Sequence, residues 1–218
     1  MGIARNLEKR LERLADGLSA AIFRGRMQPV DMANRLVRQA DLMVNETTTG
    51  PEIPNFFDVG VSDGDIDAAA DTDAIARELS YTLTATAADR GWRTGGPISV
   101  RLSVDPSVGR ASLRVSATSV PADLPKWGEL GEHRGERVFP LADNRVVIGR
   151  SSEADITLDE AEVSRLHAVL FREGGRLWLV DLASANGSQV NGYEVGSEPI
   201  EIGGGDMLSF GPTTFALR

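Results

Sequence analysis

Three short stretches hold the residues best suited to chemistry: Gly149-Arg150-Ser151, Ser164-Arg165-Leu166-His167, and ANGSQVNG from Ala185 to Gly192. Together they offer forked cationic donors, hydroxyls and an amide, in segments whose Gly, Asn and Ser content marks turns. A phosphorylated peptide suits that set. Phosphothreonine carries about −1.5 to −2 charges and three acceptor oxygens. Arginine meets such oxygens with charge-assisted and often paired hydrogen bonds. An asparagine amide, with donor and acceptor side by side, can hold a peptide backbone.

The same residues can be drawn as a hydrolase, with Ser164, His167 and Asp181 as nucleophile, base and orienting acid. A triad needs a base free to take the serine proton, and no G-x-S-x-G elbow surrounds Ser164. His167 opens the apolar run HAVLF, where a buried hydrogen-bonding brace is the better reading. The segment IGGGD reads as a turn, and no Walker or dinucleotide fingerprint occurs. In DGDIDAAADTD, aligning Asp63, Asp65 and Asp67 with a calcium loop puts Ala68 where glycine is required and Ala74 where the bidentate glutamate belongs. That acidity fits a helix start instead, with Ser62 or Thr72 as cap. Two histidines and no cysteine leave no transition-metal cluster, disulfide or thiol nucleophile. The expectation is a non-enzyme without catalytic residues, metal or cofactor.

The elements that must position these residues fall into two parts. In the first, Leu7, Leu11, Leu14, Leu18 and Ile22 recur at helical spacing, and Val30, Ala33, Val37, Ala40 and Val44 mark a second helix that Pro29 can start. TTTGPEIP ends that helix. Phe57, Val59 and Val61 alternate as a strand, and Ile75, Leu79, Leu83 and Ala87 line a third helix. Ile98, Val100, Leu102 and Val104, then Leu113 and Val115, give two more strands. The order helix-helix-strand-helix-strand-strand describes an α+β domain over residues 1–117. Pro121 and Pro125 lie in a linker over 118–133, and residues 134–218 alternate short apolar runs with turns, which reads as an all-β sandwich.

The net charge of −9 over 218 residues argues against nucleic-acid binding. No apolar run approaches the ~20 residues that span a bilayer, so direct membrane insertion is not expected, and MGIARN places Asn6 where a myristoylation motif wants Ser or Thr. A cytoplasmic location is expected.

From about Arg134 to Arg218 the chain resembles a forkhead-associated (FHA) domain: G-R, S-R-x-H and N-G-S with a second N-G follow in the family's order. That resemblance implies a sandwich of about eleven strands with phosphothreonine-binding loops at one end. It implies that Arg150 and Ser164 contact the phosphate, that Arg165 adds to them or touches nearby peptide, and that Asn186 holds the peptide backbone. Gly149 allows a close chain approach, His167 links the loops, and Gly187, Ser188, Asn191 and Gly192 shape the last of them. The family usually has Ser or Thr where Ala185 stands. From Glu132 onward there are 8 basic and 14 acidic residues, against which the pocket arginines must work.

The first part, from MGIARNLEKRLERL through GPISVRLSVDPSVGRASLRV, resembles the N-terminal domain of actinobacterial FhaA-type proteins, whose role is unknown. The whole resemblance implies an adaptor in Ser/Thr kinase signalling, linked to cell-wall synthesis or division. Its implied partners are phosphothreonine-containing proteins: a Ser/Thr kinase, a kinase substrate or a pseudokinase domain of a membrane protein. The alternative is a phosphate-independent scaffold or self-association module on the same fold.

Overall fold

The computed structural model describes residues 29–66 and 71–218. The helix expected over Leu7–Ile22 lies outside them, as do Asp67 and Ala68 of the carboxylate run. The chain divides into two compact units: Met1–Glu46, Glu52–Ala87 and Thr94–Asp123 form one, and Thr47–Pro51, Ala88–Arg93 and Leu124–Arg218 the other.

Helix α1 (Pro29–Leu42) begins on proline, whose fixed φ and missing N–H suit a first turn, with Asp31 near its positive end. Met32, Ala33, Leu36, Val37 and Ala40 form its buried face. The expected stripe is rotated by part of a turn: Val30 and Val44 are only half-buried, and Met32 and Leu36 take their place in the core. TTTGPEIP ends the helix as expected, and strands β1 (Asn45–Thr47) and β2 (Gly50–Ile53) follow there. Thr47 closes the turn between them, its Oγ1 accepting the Thr49 N–H at 3.3 Å and donating to Gly50 O at 2.7 Å. Gly50 supplies the required φ of 120°.

Strand β3 (Phe56–Val61) buries Phe57, Val59 and Val61 completely. Helix α2 (Thr72–Asp89) buries Ile75, Leu79, Leu83 and Ala87, the four positions its spacing predicts. Its cap is Asp71, whose Oδ1 accepts the Ala74 N–H at 2.9 Å. Thr72 is already helical, and Ser62 Oγ accepts the Gly64 N–H of a turn instead. After β4 (Arg93–Thr94), which completes a small sheet of order β1-β2-β4, come β5 (Ser99–Val104) and β6 (Leu113–Thr118). β3 lies between them, parallel to β5 and antiparallel to β6. A parallel pair needs a crossover. α2 supplies it, and its Ser80 Oγ accepts the Val100 N–H of β5 at 2.9 Å. Val104, the last of the expected β5 alternation, is exposed.

The second unit carries β7 (Gly128–Glu132), β8 (Val138–Leu141), β9 (Arg145–Gly149), β10 (Ile156–Thr157), β11 (Ala168–Glu173) and β12 (Arg176–Asp181). It continues with β13 (Ser188–Val190), β14 (Tyr193–Val195), β15 (Ile200–Ile202), β16 (Met207–Phe210) and β17 (Thr213–Leu217). They build a five-stranded sheet, β10-β9-β11-β12-β15, and a six-stranded one, β14-β13-β16-β17-β7-β8. β7 lies inside the stretch expected to be linker. It pairs with β17 and β8, and its one apolar side chain, Leu130, is fully buried.

Ile148, Ala168, Leu170 and Leu179 from one sheet meet Leu130, Leu208, Phe210 and Phe215 from the other in the sandwich core. On β11 the alternate residues Val169 and Phe171 join Val147 and Ala154 in a second apolar cluster with Trp178. That double burial explains why HAVLF reads as a continuous apolar run and not as an alternation.

Candidate functional site

Arg150 leaves the end of β9 next to the loop that runs from β10 to β11. The two backbones are tied closely: Arg150 N–H donates to Ser164 O at 2.9 Å, Ser151 N–H to Arg165 O at 3.0 Å, and His167 N–H to Ile148 O at 2.8 Å. Gly149 makes this approach possible. A Cβ there would fall far inside contact distance of the Arg165 carbonyl oxygen, and 2.8 Å from its carbon.

Side chains then aim the candidate donors. Arg150 Nε donates to Val163 O at 3.2 Å, and its two terminal nitrogens have no partner among the described residues. Ser164 Oγ accepts the Ala185 N–H at 2.9 Å, which leaves its own proton available. Asn186 Nδ2 donates to Glu162 O at 2.7 Å, which leaves its Oδ1 and one N–H available. Arg165 is exposed on the same loop. The loop 162–165, Arg150 and the segment 185–186 are thus brought together as one cluster of unspent donors.

His167 is fully buried beneath this cluster. Its Nδ1 accepts the Ser164 backbone N–H at 3.0 Å, so the ring proton belongs on Nε2, 3.1 Å from Gly187 O. Both ring nitrogens are spent on backbone, and neither serves the Ser164 hydroxyl. The triad drawing fails on that geometry. Asp181 is not on the imidazole either: its Oδ2 lies 3.9 Å from Nε2.

Asp181 is instead the hub of the β12–β13 loop. Ser184 donates to it twice, from N–H at 2.7 Å and from Oγ at 2.8 Å, and the buried Ser188 Oγ donates at 2.6 Å. Ser184 Oγ in turn accepts the Gly187 N–H at 3.0 Å. Gly187 (φ 74°) and Ala183 (φ 56°) take the left-handed conformations that this tight loop needs. Asp181 and Ser184 build this loop together with the expected Gly187 and Ser188. The D-x-x-S spacing ahead of N-G is the signal that was available.

Asn191 and Gly192 stand apart from this cluster. They form the β13–β14 turn, both with positive φ, and Asn191 bonds Asp206 and the Met207 backbone at 2.9 Å each. They share no hydrogen bond with Arg150, Ser164 or Asn186. Among the described residues no group of three or more His, Asp or Glu could hold a metal ion, and no helix is long and apolar enough to cross a membrane.

Burial alone would raise the pKa of Asp181, but the hydrogen bonds from Ser188 and Ser184, with His167 close by, outweigh it and hold the carboxyl below its ordinary value. A depressed carboxylate contributes stability above its unfolded pKa, and that contribution is lost as pH falls through the folded value. Asp181→Asn is therefore expected to lower stability by about 2 kcal/mol near neutral pH. The gap should narrow steadily below about pH 4. Urea unfolding of both proteins across pH 7 to about 2.5 measures this. A gap that stays constant on acidification would show that the charged carboxylate is not what braces the loop.

Comparison with known proteins follows the same division. The family described as FhaA, N-terminal domain, matches residues 5–116, and the FHA domain family matches residues 146–211. The glycogen accumulation regulator GarA of Mycolicibacterium smegmatis is 38% identical over 84 residues, 37% of this chain and 49% of that protein. The oxoglutarate dehydrogenase inhibitor of Corynebacterium diphtheriae is 40% identical over 73 residues, 34% of this chain and 50% of that one. The chain thus spans about half the length of these curated relatives. Among solved structures, Mycobacterium tuberculosis EmbR in complex with a low-affinity phosphopeptide aligns at 32% identity with a TM-score of 0.40, over 42% of this chain and 24% of that one.

Proposed function

We propose that this chain, which belongs to the FhaA N-terminal-domain family and carries an FHA domain over residues 146–211, is a phosphothreonine-peptide-binding adaptor of Ser/Thr kinase signalling. One observation carries the proposal. Among the described residues Arg150 is aimed by its Nε while both terminal nitrogens stay unspent, beside a Ser164 hydroxyl whose proton is likewise unspent. A dianionic phosphate is the ligand that takes most from such donors. Asn186, braced on Glu162 O, keeps an acceptor for a peptide N–H. Arg165 adds charge at the rim.

The N-terminal domain supplies a second contact in this reading, and the FhaA resemblance points to a pathway in cell-wall synthesis or division. The partner is a phosphothreonine-bearing protein: a kinase, one of its substrates or the cytoplasmic domain of a membrane protein. The adaptor itself works in the cytoplasm and without catalysis.

Titration of one peptide in phosphothreonine, phosphoserine and unphosphorylated threonine forms tests the proposal. The phosphothreonine form should bind at least about tenfold more tightly than the unphosphorylated one, as expected for loss of several charge-assisted bonds. Equal affinities for the two would sink it. Ala185 favours a second reading, because its side chain has no hydroxyl to offer a phosphate. On that reading the domain is a scaffold that binds partners without phosphate. Partner pull-downs that survive phosphatase treatment would support it.

A further inference from the structure

We propose that Glu160 is a positioning residue for phosphothreonine binding, held by Arg137 on the far side of the Ser164 loop; this rests on the function proposed above. Arg137 Nη2 donates to Glu160 Oε1 at 2.8 Å and to Glu132 Oε1 at 2.9 Å, while its Nε meets Glu132 Oε2 at 3.0 Å. Thr213 Oγ1 donates to the same Glu160 oxygen at 3.2 Å. The guanidinium also lies 5.7 Å from the centroid of the Phe215 ring. Glu160 is thereby tied to β7, to the residue before β8 and to the start of β17, all of the six-stranded sheet.

The other oxygen, Glu160 Oε2, is buried with no hydrogen-bond partner among the described residues. An unpaired buried carboxylate oxygen is unfavourable. A glutamate free to move would turn it to water, so the clamp on Oε1 is what keeps this side chain in place.

From that anchor the chain closes a turn, with Val163 N–H donating to Glu160 O at 3.0 Å. The carbonyls of residues 162–164 are the ones that aim the candidate binding groups. Glu162 O receives Asn186 Nδ2, Val163 O receives Arg150 Nε, and Ser164 O receives the Arg150 backbone N–H. The carboxylate clamp fixes where these carbonyls stand, and so where the two donors point. Glu160 itself reaches no ligand.

The sign of the effect distinguishes this role from simple electrostatics. Removing an acid near a dianionic ligand should strengthen binding by Coulomb attraction alone. Positioning predicts the reverse. In titrations of a phosphothreonine peptide against the full chain, Glu160→Ala should bind about fivefold more weakly than wild type. Glu160→Gln keeps an acceptor for Arg137 and Thr213 and should stay within about twofold of wild type. Asp159→Ala, at the exposed neighbour, should bind equally or more tightly. In an Asn186→Ala background the Glu160→Ala loss should shrink, because the two act through the same loop. If Glu160→Ala does not fold, Arg137→Lys serves in its place: one ammonium cannot hold both glutamates in the forked geometry, and binding should weaken about threefold.

Binding by Glu160→Ala, or by Arg137→Lys in its place, that equals or exceeds wild type overturns the inference. So does Glu160→Gln as weak as Glu160→Ala, or an undiminished loss in the Asn186→Ala background. Wild type that does not distinguish phosphothreonine from threonine overturns the parent function, and this role with it.

Discussion

Arg150→Ala is expected to weaken phosphothreonine-peptide binding by about a hundredfold, the loss of a paired, charge-assisted contact. Its stability should stay within about 1 kcal/mol of wild type. The asymmetry follows from the geometry: among the described residues Nε makes the single side-chain bond of Arg150, to Val163 O, and the terminal nitrogens make none. Arg150→Lys should recover only part of the affinity, because an ammonium has no Nε–H to be aimed by and no fork to present. Ser164→Ala should cost binding too, by a smaller factor, but it also strips Ala185 N–H of its acceptor. Peptide titration with parallel urea unfolding separates the two effects. Arg150→Ala that binds phosphopeptide as well as wild type would remove the phosphate-contact role outright.

Gly149→Ala is expected to destabilise the second unit by about 3 kcal/mol, the upper range for overpacking, and to abolish peptide binding with it. The added methyl would collide with the carbonyl group of Arg165, 2.8 Å from its carbon, and would lie 3.0 Å from Leu166 Cα. These are backbone atoms that cannot rotate away. Relief requires the Ser164 loop to back off β9, which breaks the bonds from Arg150 and Ser151 to that loop. Gly187→Ala offers the contrast. Its added methyl would meet nothing within 4 Å, but its φ of 74° is strained for any other residue. That change should cost only about 1 kcal/mol. Thermal unfolding of the pair measures the difference, and a mild Gly149→Ala would mean that the loop is looser than its hydrogen bonds imply.

The three turn blocks were legible because their chemistry resides in side chains and their turns in Gly, Asn and Ser. The apolar face of α2 was legible because a long helix repeats its pattern four times. β7 was not. It buries a single apolar side chain, Leu130, between polar and glycine neighbours, and its register is set by Leu217, near the other end of the chain. No local pattern encodes such a partner. The same limit hid what aims Arg150 and Asn186. Their acceptors are the carbonyls of Val163 and Glu162, which every residue type has, so nothing in the sequence marks them. Glu160 read as one acid among many because its significance lies in Arg137, 23 residues earlier in sequence. The α1 stripe was misplaced by part of a turn for a different reason: apolar residues on adjacent faces made two phases plausible, and packing selected the one with Met32 and Leu36.

The candidate donors are divided between the two leaves of the sandwich. Arg150 and Ser164 are borne by the five-stranded leaf, whereas Asn186 sits where the chain crosses toward the six-stranded one, just ahead of β13. A ligand gripped by both would act as a clasp on the seam. Sliding one leaf past the other by a single residue, about 3.3 Å, would pull Asn186 off Glu162 O and open the grip. Affinity in such a design is a gauge of leaf alignment, so damage deep in the sandwich would be felt as lost recognition well before it was felt as lost fold.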